Sequence, residues 1–319
     1  MGEQTGIEWC DHTFNPWIGC ARVSPGCRNC YAEHVDERFR YGGETHWGQN
    51  APRMRTSPGN WRKPVAWDRK AAADGVRRRV FCASLADVFE DRRDLDPWRN
   101  DLWTLIEQTP HLDWLLLTKR PENMWDLGAA LWFCECGENW NHHDGNACLN
   151  CETSVDDRTP HAPANVWLGT TVESAAQADR VTDLVDIAAP VHFVSCEPLL
   201  GDVANEILVT GIDWVICGGE SGPGARPMHP DWARSLRDQC DAAGVPFLFK
   251  QWGELVVEDQ SPLDITLPGE AQLVGGDSFY RVGKKAAGRQ LDGRTWDEFP
   301  TGDTRVHPMG SGQPAPTGV

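Results

Sequence analysis

The sequence predicts an α/β protein, a complete or partial (β/α) TIM-like barrel of parallel strands carrying a small zinc-binding insertion. Three observations predict it. Short continuous apolar runs alternate with amphipathic stretches, as in a parallel sheet covered by helices. There are seven such runs, more than a short doubly wound sheet needs. Run after run ends in polar or charged residues, as barrel strands do at the rim where ligands bind. A length of 319 residues suits one barrel with additions.

In chain order the apolar runs are Phe14–Gly19, Val80–Leu85, Trp114–Thr118, Val166–Thr170, Val191–Cys196, Trp214–Cys217 and Pro246–Phe249. Helices are expected between several of them. Asp96–Gln108 opens on Asp-Pro, an N-cap followed by proline at the first helical position. Ser174–Ala188 and Pro230–Ala243 carry apolar residues at helical spacing, and Gly244 reads as a C-cap. After the strands stand Cys20; Ser84 and Asp87; Thr118, Lys119 and Arg120; Thr170, Thr171 and Glu173; Ser195 and Glu197; Gly218, Gly219 and Glu220; and Lys250 and Gln251. Strand ends are also simply where solvent begins. The succession of such ends, several charged within apolar flanks, points instead to a pocket.

Two segments break the rhythm. Residues 132–160 form an insertion, and residues 256–319 form a C-terminal extension whose last residues, GSGQPAPTGV, are expected to be disordered. The barrel core is thus expected over 1–131 and 161–255.

Composition narrows the function classes. Hydrophobic residues make up 40% and charged residues 24%, which excludes wholesale disorder. The net charge of −17 argues against a generic duplex-DNA binder, which needs a basic face. No run approaches the length of a membrane span. The N-terminus, MGEQTGIEWCDHT, has no apolar signal region, so a cytoplasmic location is expected. One stretch is locally basic: Arg53, Arg55, Arg62, Lys63, Arg69, Lys70, Arg77, Arg78 and Arg79 stand against Asp68 and Asp74. Trp61 and Trp67 interleave, a combination that suits a nucleotide or single-stranded nucleic acid. A solvated connection would read the same way.

Twelve cysteines need a reason in a reducing compartment. Cys10, Cys82, Cys196, Cys217 and Cys240 are scattered and are expected to be buried free thiols. Cys134, Cys136, Cys148 and Cys151 form two close pairs in the insertion, the spacing of a closed, structural Zn²⁺ site; His142 or His143 could replace one ligand. Cys20, Cys27 and Cys30 are only three, spaced C-x6-C-x2-C around the turn Ser24-Pro25-Gly26. Three thiolates leave one metal position open, as on a four-iron cluster with one free iron. Zinc completed by His12 or His34, or three plain thiols, are the alternatives.

Around these cysteines the segments Asn15-Pro16-Trp17-Ile18-Gly19-Cys20, Ser24-Pro25-Gly26-Cys27 and Cys30-Tyr31-Ala32 resemble the phage-associated three-Cys-motif family, itself similar to radical S-adenosylmethionine (SAM) enzymes. Further matches are Trp114–Arg120 (WLLLTKR), Ser195–Leu199 (SCEPL), Gly218–Arg226 (GGESGPGAR), Phe249–Gly253 (FKQWG) and the later KKAAGRQLDGR. The first cysteine gap is six residues, where the common radical-SAM pattern has three. Asn29 replaces the aromatic usual before the third cysteine.

The resemblance implies that Cys20, Cys27 and Cys30 hold a [4Fe–4S] cluster that cleaves SAM to generate a 5′-deoxyadenosyl radical. Ser84, Asp87, Thr118, Lys119, Thr170, Glu173, Arg180 and Ser195 are then candidates for holding SAM, and Glu197, Lys250 and Glu220 for catalysis. An external electron donor is implied, with room for a partner protein. The phage association points to a nucleobase, nucleotide or nucleic acid as substrate, in a host cytoplasm. Two other classes stay open: a carboxylate-based barrel hydrolase pairing Glu173, Glu197 or Glu220, and a non-enzymatic zinc and nucleic-acid binding protein.

Overall fold

The computed structural model describes residues 5–129, 131–132, 160–207, 211–261, 267, 271–274 and 276–300, together with the backbone of 143–144 and 147–148. Seven parallel strands form its main sheet: β1 (His12–Thr13), β2 (Arg78–Cys82), β3 (Leu112–Thr118), β4 (Val166–Thr171), β5 (His192–Cys196), β6 (Trp214–Gly218) and β7 (Phe247–Gln251). Their spatial order is their chain order, and β1 and β7 do not pair. The fold is therefore a partial (β/α) barrel.

Helices fill the crossovers. α1 (Tyr31–Phe39) and α2 (Lys63–Asp74) lie between β1 and β2, α3 (Asp96–Glu107) between β2 and β3, α4 (Arg180–Val185) between β4 and β5, and α5 (Pro230–Ala243) between β6 and β7. α3 has proline in its first turn and buries Leu102, Trp103, Leu105 and Ile106 on one face. α5 is capped by His229, whose ring nitrogen accepts from the Asp231 amide, and stops at Gly244, at φ 68°. That is left-handed backbone, which glycine adopts without a Cβ penalty.

Strand alternation sorts the side chains. Val80, Cys82, Trp114, Leu116, Val166, Leu168, Val194, Cys196, Val215, Cys217, Phe247 and Phe249 belong to the core between sheet and helices. Phe81, Leu115, Trp167, Phe193, Trp214, Ile216 and Leu248 form a second cluster with Trp9, on the other face of the sheet. This inner layer is tight: a Cβ at Gly169 would lie 2.3 Å from the Phe193 ring. The five scattered cysteines are all buried, as expected.

The structure corrects three expectations. The first strand is His12–Thr13, not Phe14–Gly19. Pro16 has no N–H for a ladder, and the Asn15 side chain instead accepts from the Leu85 amide at 2.7 Å. Trp17–Ile18 then pairs antiparallel with Met54–Arg55. The helix expected over Ser174–Ala188 is shorter: one turn at Ala175–Gln177 precedes α4. Finally, Arg53 and Arg79 are buried and so leave the basic stretch. Arg53 pairs with Glu90 at 2.6 Å, and Arg79 lies over the Phe299 ring at 3.9 Å.

Beyond β7 the described residues, which end at 300, stay on the barrel; the last residues, GSGQPAPTGV, lie outside them. β8 (Leu255–Val257), β9 (Gln272–Val274) and β10 (Asp277–Arg281) form a small antiparallel sheet. The Trp296 carbonyl accepts from Phe249 N, and Phe299 joins the inner cluster. Among the described residues no helix is long and apolar enough to cross a membrane.

Candidate active site

The C-terminal ends of the strands gather around one loop, residues 20–30. Cys20, Cys27 and Cys30 are partly exposed free thiols on it, while the other described cysteines are buried. Three strand ends hold this loop. After β3, Arg120 donates to the Ala21 carbonyl at 2.7 Å and lies 3.6 Å from Cys20 Sγ. After β4, Glu173 accepts from the Ser24 hydroxyl and from the Gly26 amide, the latter at 3.1 Å. After β6, Glu220 accepts from Asn29 Nδ2 at 2.9 Å. Close packing enforces the contacts: a Cβ at Gly26 would sit 2.7 Å from Glu173 Oε1.

The charges balance locally. Burial works against ionised Glu173, but Lys119, the Ser24 hydroxyl and Arg180 outweigh it and hold the carboxyl below its usual range. Burial likewise opposes ionised Glu220, and Arg226 and Asn29 overcome it. Burial pushes the Cys20 thiol up to about 12, with Asp87 adding to the shift and Arg120 opposing it. Cys30 is raised by burial, with Cys27 close enough to contribute and Lys119 close enough to oppose.

Several expected ligand-binding residues already have partners. Asp87 accepts from Thr118 Oγ1 at 2.6 Å, Arg120 Nη1 at 2.7 Å, Phe89 N at 3.0 Å and Lys119 N at 3.3 Å. Ser84 Oγ accepts from Asn15 Nδ2 at 3.1 Å. Thr170 Oγ1 donates to the Thr118 carbonyl at 3.1 Å, and both threonines are buried. Arg180 bridges the Thr171 carbonyl at 2.8 Å and Glu173 at 2.9 Å.

A second polar group lies at the ends of β5 and β7. Lys250 Nζ is 2.7 Å from Glu197 Oε1, and Ser195 Oγ donates to Glu197 Oε2 at 3.3 Å. Cys217 pairs with Phe249 but Gly218 pairs with Gln251, so Lys250 is the extra residue of a bulge, a device that re-aims a side chain. Burial disfavours its ammonium, yet Glu197 more than compensates and raises its pKa. Glu173, Glu197 and Glu220 are thus each engaged by a different cation, Arg180, Lys250 and Arg226 respectively.

Among the described residues no three or more His, Cys, Asp or Glu side chains stand arranged around a metal position. The donor chemistry of the loop nevertheless fits a three-thiolate cluster. The three accessible thiols share one anchored loop, and Lys119 and Arg120 supply positive charge beside them. Cys134, Cys136 and Cys151 lie outside the described residues; Cys148 is described only as backbone, in a strand paired with His143–Asp144.

Sequence reasoning missed Ser24, Asn29 and Arg226 as parts of the site. Asn29 did carry a signal, since it stands where the radical-SAM pattern has an aromatic. Arg226 is six residues beyond Glu220, and nothing in the spacing marks it as the partner.

A family model described as "Protein of unknown function (DUF5131)" matches residues 4–300. No curated protein matches the sequence. Two solved structures are similar, both mutants of spore photoproduct lyase. One has a TM-score of 0.41 at 9% identity, covering 88% of this chain and 72% of the other. The second has a TM-score of 0.39 at 9% identity, covering 83% and 66%.

Proposed function

Given that the chain belongs to the DUF5131 family, we propose that it is a radical SAM enzyme, with Cys20, Cys27 and Cys30 as cluster ligands. One observation carries the reading: the described cysteines divide into five buried thiols and three accessible ones, and those three share a loop across the barrel mouth. A [4Fe–4S] cluster bound there would accept one electron from an external donor and cleave SAM to methionine and a 5′-deoxyadenosyl radical.

The chain's own residues supply the surroundings. Lys119 and Arg120 offset the negative charge of the thiolates. The apolar layer of Phe81, Leu115, Phe193 and Ile216 closes the interior below the mouth and keeps water from a reactive intermediate. Lys250 and Glu197 present an ammonium and a carboxylate that can orient a substrate or move a proton. Ser195 steadies Glu197. Asp87, Glu173 and Glu220 are committed to the protein, so among the expected SAM-holding residues Lys119, with backbone groups of the mouth, would be left to hold SAM beside a bound cluster.

A nucleobase, nucleotide or nucleic acid is the substrate class this reading favours. Its support is the basic stretch alone, reduced to Arg55, Arg62, Lys63, Arg69, Lys70, Arg77 and Arg78; Trp67 is buried and Trp61 packs against the core, so neither ring is offered to a base, and Arg55, Arg77 and Arg78 are paired with Asp101, Asp113 and Asp74. The phage setting, a host cytoplasm and a partner protein are proposed on the sequence resemblance alone. Cys134, Cys136, Cys148 and Cys151 are proposed to hold a structural Zn²⁺ that orders the insertion.

The test is SAM cleavage. Anaerobically reconstituted, reduced protein should release 5′-deoxyadenosine and methionine, and Cys20→Ala, Cys27→Ala and Cys30→Ala should each abolish release. Absence of cleavage in the reconstituted wild type contradicts the reading.

A further inference from the structure

We infer that Glu173, Glu220 and Arg120 are positioning residues that hold the 20–30 loop in one place at the barrel mouth before any cluster binds. The inference rests on the radical SAM reading for what the loop holds, but its physical basis is separate. Three different strand ends grip the loop at three points along its length: Arg120 at Ala21, Glu173 at Ser24 and Gly26, and Glu220 at Asn29. Each contact lies within three residues of a cysteine. Asn29 also donates to the Gly224 carbonyl at 2.7 Å, which ties the third anchor to the loop after β6.

These side chains are invested in the grip. Glu173 and Glu220 are both buried, where an ionised carboxylate costs free energy unless charged and polar partners surround it. Those partners are a matching arginine and the loop itself: Arg180 with Ser24 and Gly26 for Glu173, and Arg226 with Asn29 for Glu220. Arg120 is fixed in turn by Asp87 at 2.7 Å. The loop thus completes the solvation of buried charges on the barrel. Releasing it would leave those charges short of hydrogen bonds, so the barrel opposes release.

The consequence concerns cluster loading. A free loop would pay conformational entropy to bring its thiols to one cluster, whereas an anchored loop has part of its backbone freedom removed during folding. The anchors should therefore raise the fraction of chains that take up iron and should fix the cluster's electronic environment through Arg120.

The test uses loop-side variants, which leave the barrel core intact. Hydrogen–deuterium exchange of iron-free protein is compared for wild type, Ser24→Ala, Asn29→Ala and the double variant. Two lost hydrogen bonds to charged acceptors predict that exchange within 20–30 rises by about tenfold or more in the double variant, with β3–β6 unchanged. Reconstitution should then give less iron per chain, and Glu173→Gln, which keeps an acceptor oxygen, should load more iron than Glu173→Ala. For Arg120→Lys, the charge is kept and the fork is lost, so the cluster should form with a shifted midpoint potential. Unchanged loop exchange in the double variant overturns the inference. Faster exchange in the variant, in a protein whose wild type binds no iron, upholds the anchoring and removes the radical SAM reading instead.

Discussion

Lys250 owes its pairing with Glu197 to a single extra residue in β7, and the pair behaves as a unit. Both side chains are largely buried, at 17% and 14% exposure, so breaking one partner strands the other. Glu197→Gln or Lys250→Met alone should cost about 3 kcal/mol. The double variant should cost clearly less than the sum, which a denaturant-midpoint cycle measures directly. Additive losses would show that the two do not interact. Gly169→Ala tests the inner layer in the same way: a methyl forced into the Phe193 ring should cost about 1–3 kcal/mol and lower the thermal midpoint. At this scale the sequence reveals which strand ends carry charge, because polar residues after apolar runs are visible. It does not reveal which charges pair. Lys250 meets Glu197 through a register shift, and Arg53 meets Glu90 across 37 positions; neither follows from local spacing.

Elements with strong end signals are the ones the sequence predicts well. Proline in the first turn marks the start of α3 and glycine closes α5, and both helices occupy the expected spans, although Asp96 is the first helical residue and pairs with Arg99 instead of capping. β1 is only two residues long because Asn15-Pro16 interrupts it, and a polar Asn bonding its neighbours looks, in sequence, like part of an apolar run. The C-terminal segment shows a tertiary effect that propensity does not contain. Asp292 sits at φ 52° and pins residues 288–294 to α5 through Arg234 at 2.8 Å and Arg237 at 2.6 Å. Arg234 is the main cause holding its carboxyl down to about 2. The unfolded carboxyl titrates near 3.9, so the unfolded chain takes up the proton first. The stability from this cluster is therefore complete above about pH 4 and is lost as pH falls toward about 2. Asparagine also tolerates left-handed backbone, so Asp292→Asn should keep the fold while flattening the acid limb of stability against pH. An unchanged acid limb would place the acid sensitivity elsewhere. Because the cluster is partly exposed, added salt should shrink the effect.

The molecule as a whole joins an apolar barrel interior to a mouth where Glu173, Glu197 and Glu220 each meet a cation, in a chain of net charge −17. The barrel class is legible from the six apolar runs that form strands and from their polar ends, since burial on both faces writes continuous apolar strands. Whether the barrel closes is not legible, because closure depends on strand pairing at the edges. The three-cysteine loop is legible as a candidate from its spacing. Its anchoring is not, because Glu173 and Glu220 lie 149 and 191 positions from their loop partners. The proposed zinc site carries its own prediction: Cys148→Ser should lower zinc per chain and open residues 132–160 to protease, leaving iron uptake intact. Whether Cys20, Cys27 and Cys30 hold a cluster is decided by iron analysis and electron paramagnetic resonance of anaerobically reconstituted protein, reduced, with and without SAM. The wild type should carry about four irons per chain and give a reduced-cluster signal that changes when SAM is added, and both should be lost in Cys20→Ala, Cys27→Ala and Cys30→Ala. A colourless wild type without iron, or a cluster that persists in all three variants, would contradict the assignment.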